Sequence, residues 1–224
     1  MILRLLHLCD SLFPIGGFAY SDGLETATVR GMVADLDGLR GWIDVCLDET
    51  LGRLEGPAVW QAWGAFADAD WDRLAALDEE FAALRPSASA RRSSRAMGLR
   101  LLATWQTLHP EPRLSQALVL ARAGRLGPAL PIAFAAACAS SGVDRRRTVE
   151  AFAYTRLSAT TSSAMRLMAI GQSGAHALLA RTLDRVPRVV DAIAQRDACL
   201  ESFTPAMDVA AMSQRYLHSR LFRS

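Results

Sequence analysis

The sequence contains no lysine: all 25 of its basic residues are arginine. That absence removes the nucleotide-binding P-loop, whose phosphate cradle needs a lysine after its glycines, and no Gly-x-Gly-x-x-Gly occurs either. Aromatic residues are scarce at 7%, and the 51% hydrophobic content rests on Ala and Leu with few β-branched residues, a balance that favours helix over strand. The four cysteines, Cys9, Cys46, Cys138 and Cys199, have no paired spacing, which excludes a disulfide framework and predicts reduced, mostly buried thiols. No uncharged run is fit to cross a membrane. The longest, Leu126 to Val143, is interrupted by Pro128 and Pro131 and closed by Ser140-Ser141-Gly142. Arg4, His7 and Asp10 break the apolar start, so a secretory signal is not expected either. A net charge of +2 is too mild to imply nucleic acid. These exclusions leave a soluble, cytoplasmic helical protein as the expectation.

What is present reads as helices in series. Pro14 and Gly16-Gly17 end a short first helix, and Ser21 can cap a second with Asp22 and Glu25 in its first turn. Asp35 or Asp37 opens a third, whose apolar set Leu39, Trp42, Ile43, Cys46, Leu47, Leu51 and Leu54 recurs at three and four, with Gly56-Pro57 as its stop. Trp60, Trp63 and Phe66 follow, and Asp70 caps a helix through Leu84 that Pro86 ends. The chain resumes from Ser87 to Leu108 and breaks at Pro110 and Pro112. A helix through Leu114 and Leu120 comes next, then a buried one at Pro131 to Ser141 and a long one capped by Asp144. Gly171 and Gly174 interrupt that last helix, and Pro187 starts another to Leu200. The prediction is all-α, about ten helices in one domain spanning 1–202, with a separate tail at 203–224.

The patterns that carry chemistry are mostly missing. Gly171-Gln172-Ser173-Gly174 lacks the final glycine of a hydrolase elbow and sits between helices. Asp68, Asp70 and Asp72 with Glu79 imitate a calcium loop, but Arg73 occupies the position where the sharp turn needs glycine. His7 and Cys9, two residues apart, point to different sides of a helix and read as packing rather than as metal ligands. No catalytic residue and no metal ligand is expected, and no cofactor.

Three blocks say more. The first runs Leu8-Cys9-Asp10-Ser11-Leu12-Phe13-Pro14-Ile15-Gly16-Gly17-Phe18-Ala19-Tyr20-Ser21-Asp22-Gly23-Leu24-Glu25. The second is Leu130-Pro131-Ile132-Ala133, followed by Gly171-Gln172. The third is the ending Ser219-Arg220-Leu221-Phe222. In that order the chain resembles the urease accessory proteins called UreF, over nearly its whole length. The resemblance implies an all-helical, dimer-forming protein without catalysis of its own. It also implies binding to a second accessory protein, UreD or UreH, and recruitment of the GTPase UreG to deliver nickel to apo-urease. Nickel would then be handled by the complex rather than held tightly by this chain.

The residues fit a partner surface. Pro14, Gly16 and Gly17 set a tight turn, Phe18 and Tyr20 offer aromatic faces, and Ser21 and Glu25 begin the next helix. The same block can also serve only to shape a turn between helices. In the tail, Val209 and Met212 share a face, and Ser219, Arg220, Leu221 and Phe222 form a cationic, apolar end that should be mobile until it orders on the UreD-like partner. Two departures from the family stand out: Gln214-Arg215 replaces its usual His-Glu, and His218 its frequent Tyr. Two other readings compete. One is a helical enzyme with a concealed polar pocket around Glu25, Tyr20 and Arg156. The other is a nucleic-acid binder using the stripe Arg91, Arg92, Arg95 and Arg100.

Overall fold

A computed structural model describes residues 2–196 and 199–223, and among them there is no strand. The helices are α1 (Ile2–Cys9), α2 (Leu24–Val29), α3 (Leu36–Val45), α4 (Gly56–Ala67), α5 (Trp71–Ala83), α6 (Ala88–Leu108) and α7 (Pro112–Arg122). They continue with α8 (Leu130–Ser140), α9 (Arg145–Leu167), α10 (Gln172–Leu183), α11 (Val186–Gln195) and α12 (Pro205–Ser213). The fold is all-α, as the composition implied.

The caps follow local chemistry. Side chains of Asp35, Asp70, Ser87 and Asp144 accept from Gly38, Arg73, Ala90 and Arg147, each satisfying an amide that a helix start leaves without a partner. At the centre lies α8. Pro131 to Cys138 are all buried, so this helix is apolar all round, and it packs among α4, α6 and α9. Two indoles are pinned at its far end: Trp63 donates to the Val143 carbonyl at 2.9 Å and Trp105 to Ser141 at 3.1 Å.

Several expected boundaries differ. Gly56-Pro57 does not stop the third helix. Between α3 and α4 the chain continues as a π-helix over Cys46–Glu55, and the Gly56 amide reaches back to Leu51. Proline is tolerated there because it falls in the first turn of α4. A Cβ on Gly56 would meet the Leu51 carbonyl at 2.5 Å, so the wide turn needs glycine. Gly174 lies inside α10 rather than between helices. Ser21 is not the N-cap of α2, which is Gly23. The helix begun at Pro187 ends at Gln195 and not at Leu200.

Trp60, Trp63 and Phe66 pack within the fold. Phe66 is fully buried, Trp63 is bonded as above, and the Arg145 guanidinium lies 4.4 Å above the Trp60 ring. Exposed large apolar side chains sit on α1 (Ile2, Leu3, Leu6), in the following loop (Leu12, Phe18) and on the C-terminal segment (Phe203, Val209, Met212, Tyr216, Leu221), with others scattered at Val29, Met32, Val45, Leu99, Leu108, Val119 and Tyr154.

Candidate functional site

The N-terminal block and the C-terminal ending, nearly two hundred residues apart, meet. The chain turns at Gly16, whose φ is +78°, and passes through a short 3-10 turn at Gly17–Ala19. Asp22 and Gly23 then both take left-handed φ, +49° and +89°, which swings Leu24 and Glu25 inward to start α2. Gly23 has a second reason to be glycine. A Cβ there would come within 2.8 Å of the Ala211 amide nitrogen in α12, so its absence lets α12 lie directly on α2.

Glu25 joins the two ends. Its side chain is buried, at 3% exposure, and accepts three hydrogen bonds from the tail: Gln214 Nε2 at 2.8 Å, the Phe222 amide at 3.2 Å, and the Leu221 amide. Ser21 Oγ donates to Gln214 Oε1 at 3.3 Å, and the Arg223 amide donates to the Ala19 carbonyl at 2.7 Å. Phe222 is 2% exposed, with the Arg166 guanidinium 4.5 Å over its ring, and the same guanidinium donates to the Phe18 carbonyl. Arg100 holds the Ile15 carbonyl from the other side at 3.0 Å. A buried carboxylate surrounded by donors stabilises an arrangement more than neutral bonds would.

Of the residues singled out from sequence, Ser21, Glu25 and Phe222 are internal to this junction. Pro14, Phe18, Ser219, Arg220 and Leu221 are exposed on its rim, and Gly16, Gly17 and Tyr20 are half-buried. Phe18 is 70% exposed and Leu221 54%, so the junction presents apolar groups outward while burying its polar ones. The tail at 203–224, expected as a separate unit, is seen against the body through residue 223, with α12 on α2 and α6. Gln214, Arg166 and Gly23 were not anticipated. Met207, Ala210 and Gln214 fall at helical spacing toward the body, and a polar residue ending such a stripe was the available signal.

The polar groups of the competing enzyme reading divide into two networks. Arg156 is not with Glu25. It pairs with Asp22 and with Glu55 at 3.0 Å, and Arg85 pairs with Glu55 at 2.8 Å. Burial alone lowers the Arg156 pKa, and Asp22 and Glu55 more than offset it, so the guanidinium ends above its usual value. Burial likewise raises Asp22, while Arg156 and Arg85 bring it below the usual carboxylate range. These are mutually neutralised charges. The arginine stripe is also partly spent on structure: Arg91 donates to the Arg85 and Pro86 carbonyls and Arg100 to Ile15. His7 stacks edge-on against Phe13 at 5.3 Å, and burial pushes the Cys9 thiol up to about 11, a poor state for a ligand. Among the described residues no three His, Cys, Asp or Glu side chains are grouped to hold a metal.

Fold and site together define an all-helical body whose two ends close into one apolar-rimmed surface. The UreF family model matches residues 33–183, a span that omits both terminal blocks. Full-length relatives cover them. The chain is 34% identical over 226 residues to the urease accessory protein UreF of Methylibium petroleiphilum, covering all of this chain and 94% of that one. It is 35% identical over 225 residues to that of Methylorubrum populi, covering 99% and 98%, and 31% identical over 221 residues to that of Nitrosococcus oceani, covering 98% and 97%. The chain belongs to the UreF family of urease accessory proteins.

Proposed function

We propose that this chain is a non-catalytic scaffold in urease maturation, which binds a UreD/UreH-like accessory protein through its joined termini and with it recruits a UreG-like GTPase to deliver nickel to apo-urease. One observation carries the reading. The N-terminal and C-terminal blocks on which the resemblance to the family rests lie in one place, where Glu25 holds the tail so that Phe18 and Leu221 face outward. Exposed aromatic and aliphatic groups around a rigid, hydrogen-bonded centre suit a protein partner. A small-molecule reaction would need convergent, unneutralised polar groups, and the nearby Arg156 network is internally paired. Nickel is cargo of the assembly in this reading, and the protein works as a homodimer in the cytoplasm.

Co-expression with the UreD-like and UreG-like proteins of the same host tests it. The wild type should co-purify with both, and Phe18→Asp with Leu221→Asp should lose both while keeping full helix content, since both side chains are exposed. Capture of the double variant at full strength, or no capture of the wild type, would refute the proposal.

A further inference from the structure

The turn that seats the tail is itself held from the body. The Leu24 amide donates to the Ser21 carbonyl at 3.0 Å, closing a turn whose two central residues, Asp22 and Gly23, are both left-handed, at φ +49° and +89°. Glycine takes that region freely. A residue with a Cβ pays free energy to enter it, and aspartate bears it better than most. The handedness has a consequence at the surface. Within five residues the turn offers Ser21 to Gln214, the bare Cα of Gly23 to Ala211, and the Glu25 carboxylate to Gln214, Leu221 and Phe222. With a right-handed φ at Asp22 these three groups would point elsewhere.

The Asp22 side chain bonds in another direction. Its carboxylate accepts from Nη2 of Arg156, in the middle of α9. Arg156 is fixed in turn: its Nε donates to Glu55 at 3.0 Å, and Glu55, 3% exposed at the end of the π-helix, also holds Arg85 at 2.8 Å. A planar guanidinium that grips a buried carboxylate with one nitrogen and the turn with another has little freedom left. The pair lies beneath the tail helix, where Asp22 and Arg156 line a cavity of about 60 Å³ together with Thr204, Asp208 and Ala211. An ion pair that only neutralised charge would be indifferent to the φ of Asp22. This one grips the non-glycine member of the left-handed pair, directly before the glycine on which α12 rests.

We propose that Arg156 is a positioning residue for the tail surface: by pairing with Asp22 it holds the left-handed turn at 21–24 that seats α12 and aims Glu25 at residues 214–222.

Amide hydrogen exchange of the whole protein reads this without a partner. Asp22→Ala and Asp22→Gly both lose the Arg156 contact at a half-buried position, but alanine must then carry the left-handed φ unaided, whereas glycine takes it freely. Alanine should accelerate exchange at 205–222 about tenfold and glycine less than about threefold, with α8 as protected as in the wild type. Arg156→Gln leaves Glu55 paired with Arg85 and should also release the tail about tenfold, and adding Asp22→Gly should bring exchange back to within about threefold of wild type. Equal acceleration in Asp22→Ala and Asp22→Gly would reveal an ordinary ion pair and overturn the proposal. So would wild-type exchange in Asp22→Ala, or no rescue of Arg156→Gln by glycine. If Arg156→Gln loses protection in α8 as well, the two Asp22 variants decide alone. The function proposed above is read separately, by capture of the UreD-like protein. Tail release in Asp22→Ala with capture at full strength would sink that function and leave the role of Arg156 intact.

Discussion

Replacing Glu25 by Gln should release the C-terminal segment while leaving the helical body folded. Glu25 accepts from the Gln214 amide, from the Leu221 amide and from the Phe222 amide at 3.2 Å, all in a buried setting. Glutamine keeps the shape and one acceptor oxygen, and turns an NH2 toward at least one of those donors. A hydrogen bond to a charged group contributes roughly 1.5–3 kcal/mol, and an unsatisfied buried donor costs about 1–3 kcal/mol, so the docking of the tail should weaken by about 2–4 kcal/mol. That corresponds to a roughly 30- to 1000-fold rise in the population with the tail released. The effect on global stability is capped, because once residues 205–222 detach, the body loses nothing further. Amide hydrogen exchange is the assay. Exchange should accelerate by that factor in α12 and at 214–222, while α8 and α9 keep their protection and the denaturant midpoint moves little. Equal acceleration in α8 would refute the reasoning, since it would show the tail and body to be one cooperative unit.

Three further outcomes are expected. Gly23→Ala must place a Cβ 2.8 Å from the Ala211 nitrogen at a φ of +89°, so it should displace α12 and lose the UreD-like partner in co-purification while far-UV circular dichroism stays within a few per cent of wild type. Asp78, buried and accepting from the Gly127 and Ala129 amides, has its pKa raised by burial to about 6 from 3.8, those amides pulling the other way. The folded state therefore binds the proton more tightly, its stabilising contribution is complete below about pH 4 and is lost as pH rises through about 6, and Asp78→Asn should flatten the melting temperature across that window. Deleting residues 207–224 should leave light-scattering mass at that of a dimer at tens of micromolar while abolishing partner capture and urease activation; an unfolded product or full-strength capture would count against a partner-binding tail.

Much of the fold was legible because its signals are local. Asp35, Asp70, Ser87 and Asp144 announced their helices by side-chain chemistry that acts three residues away. Gly56-Pro57 misled because glycine and proline serve both as a stop and as the two residues a π-to-α transition tolerates, and only the approach of Leu51 and Ile193 distinguishes them. The candidate site was half legible. The blocks at 8–25 and 219–222 were visible as motifs, but that Glu25 bonds Gln214 and Phe222 depends on contacts across 189 and 197 positions, which no periodicity records. Arg91 and Arg100 read as a surface stripe because a sequence does not distinguish an arginine that meets solvent from one that ties down a carbonyl.

The closure of the chain on itself also sets an order in time. Glu25 leaves the ribosome well before its donors at 214, 221 and 222, which follow it by 189, 196 and 197 positions. At about 5–20 residues per second, the carboxylate waits roughly 10–40 s for them. Until then α2 has nothing on its outer side, Phe222 is absent from beneath Arg166, and the rim formed by Phe18 and Leu221 does not exist. A chain that lacks residues 214–222 therefore cannot display this surface, so the surface itself reports that those residues have been made and have docked.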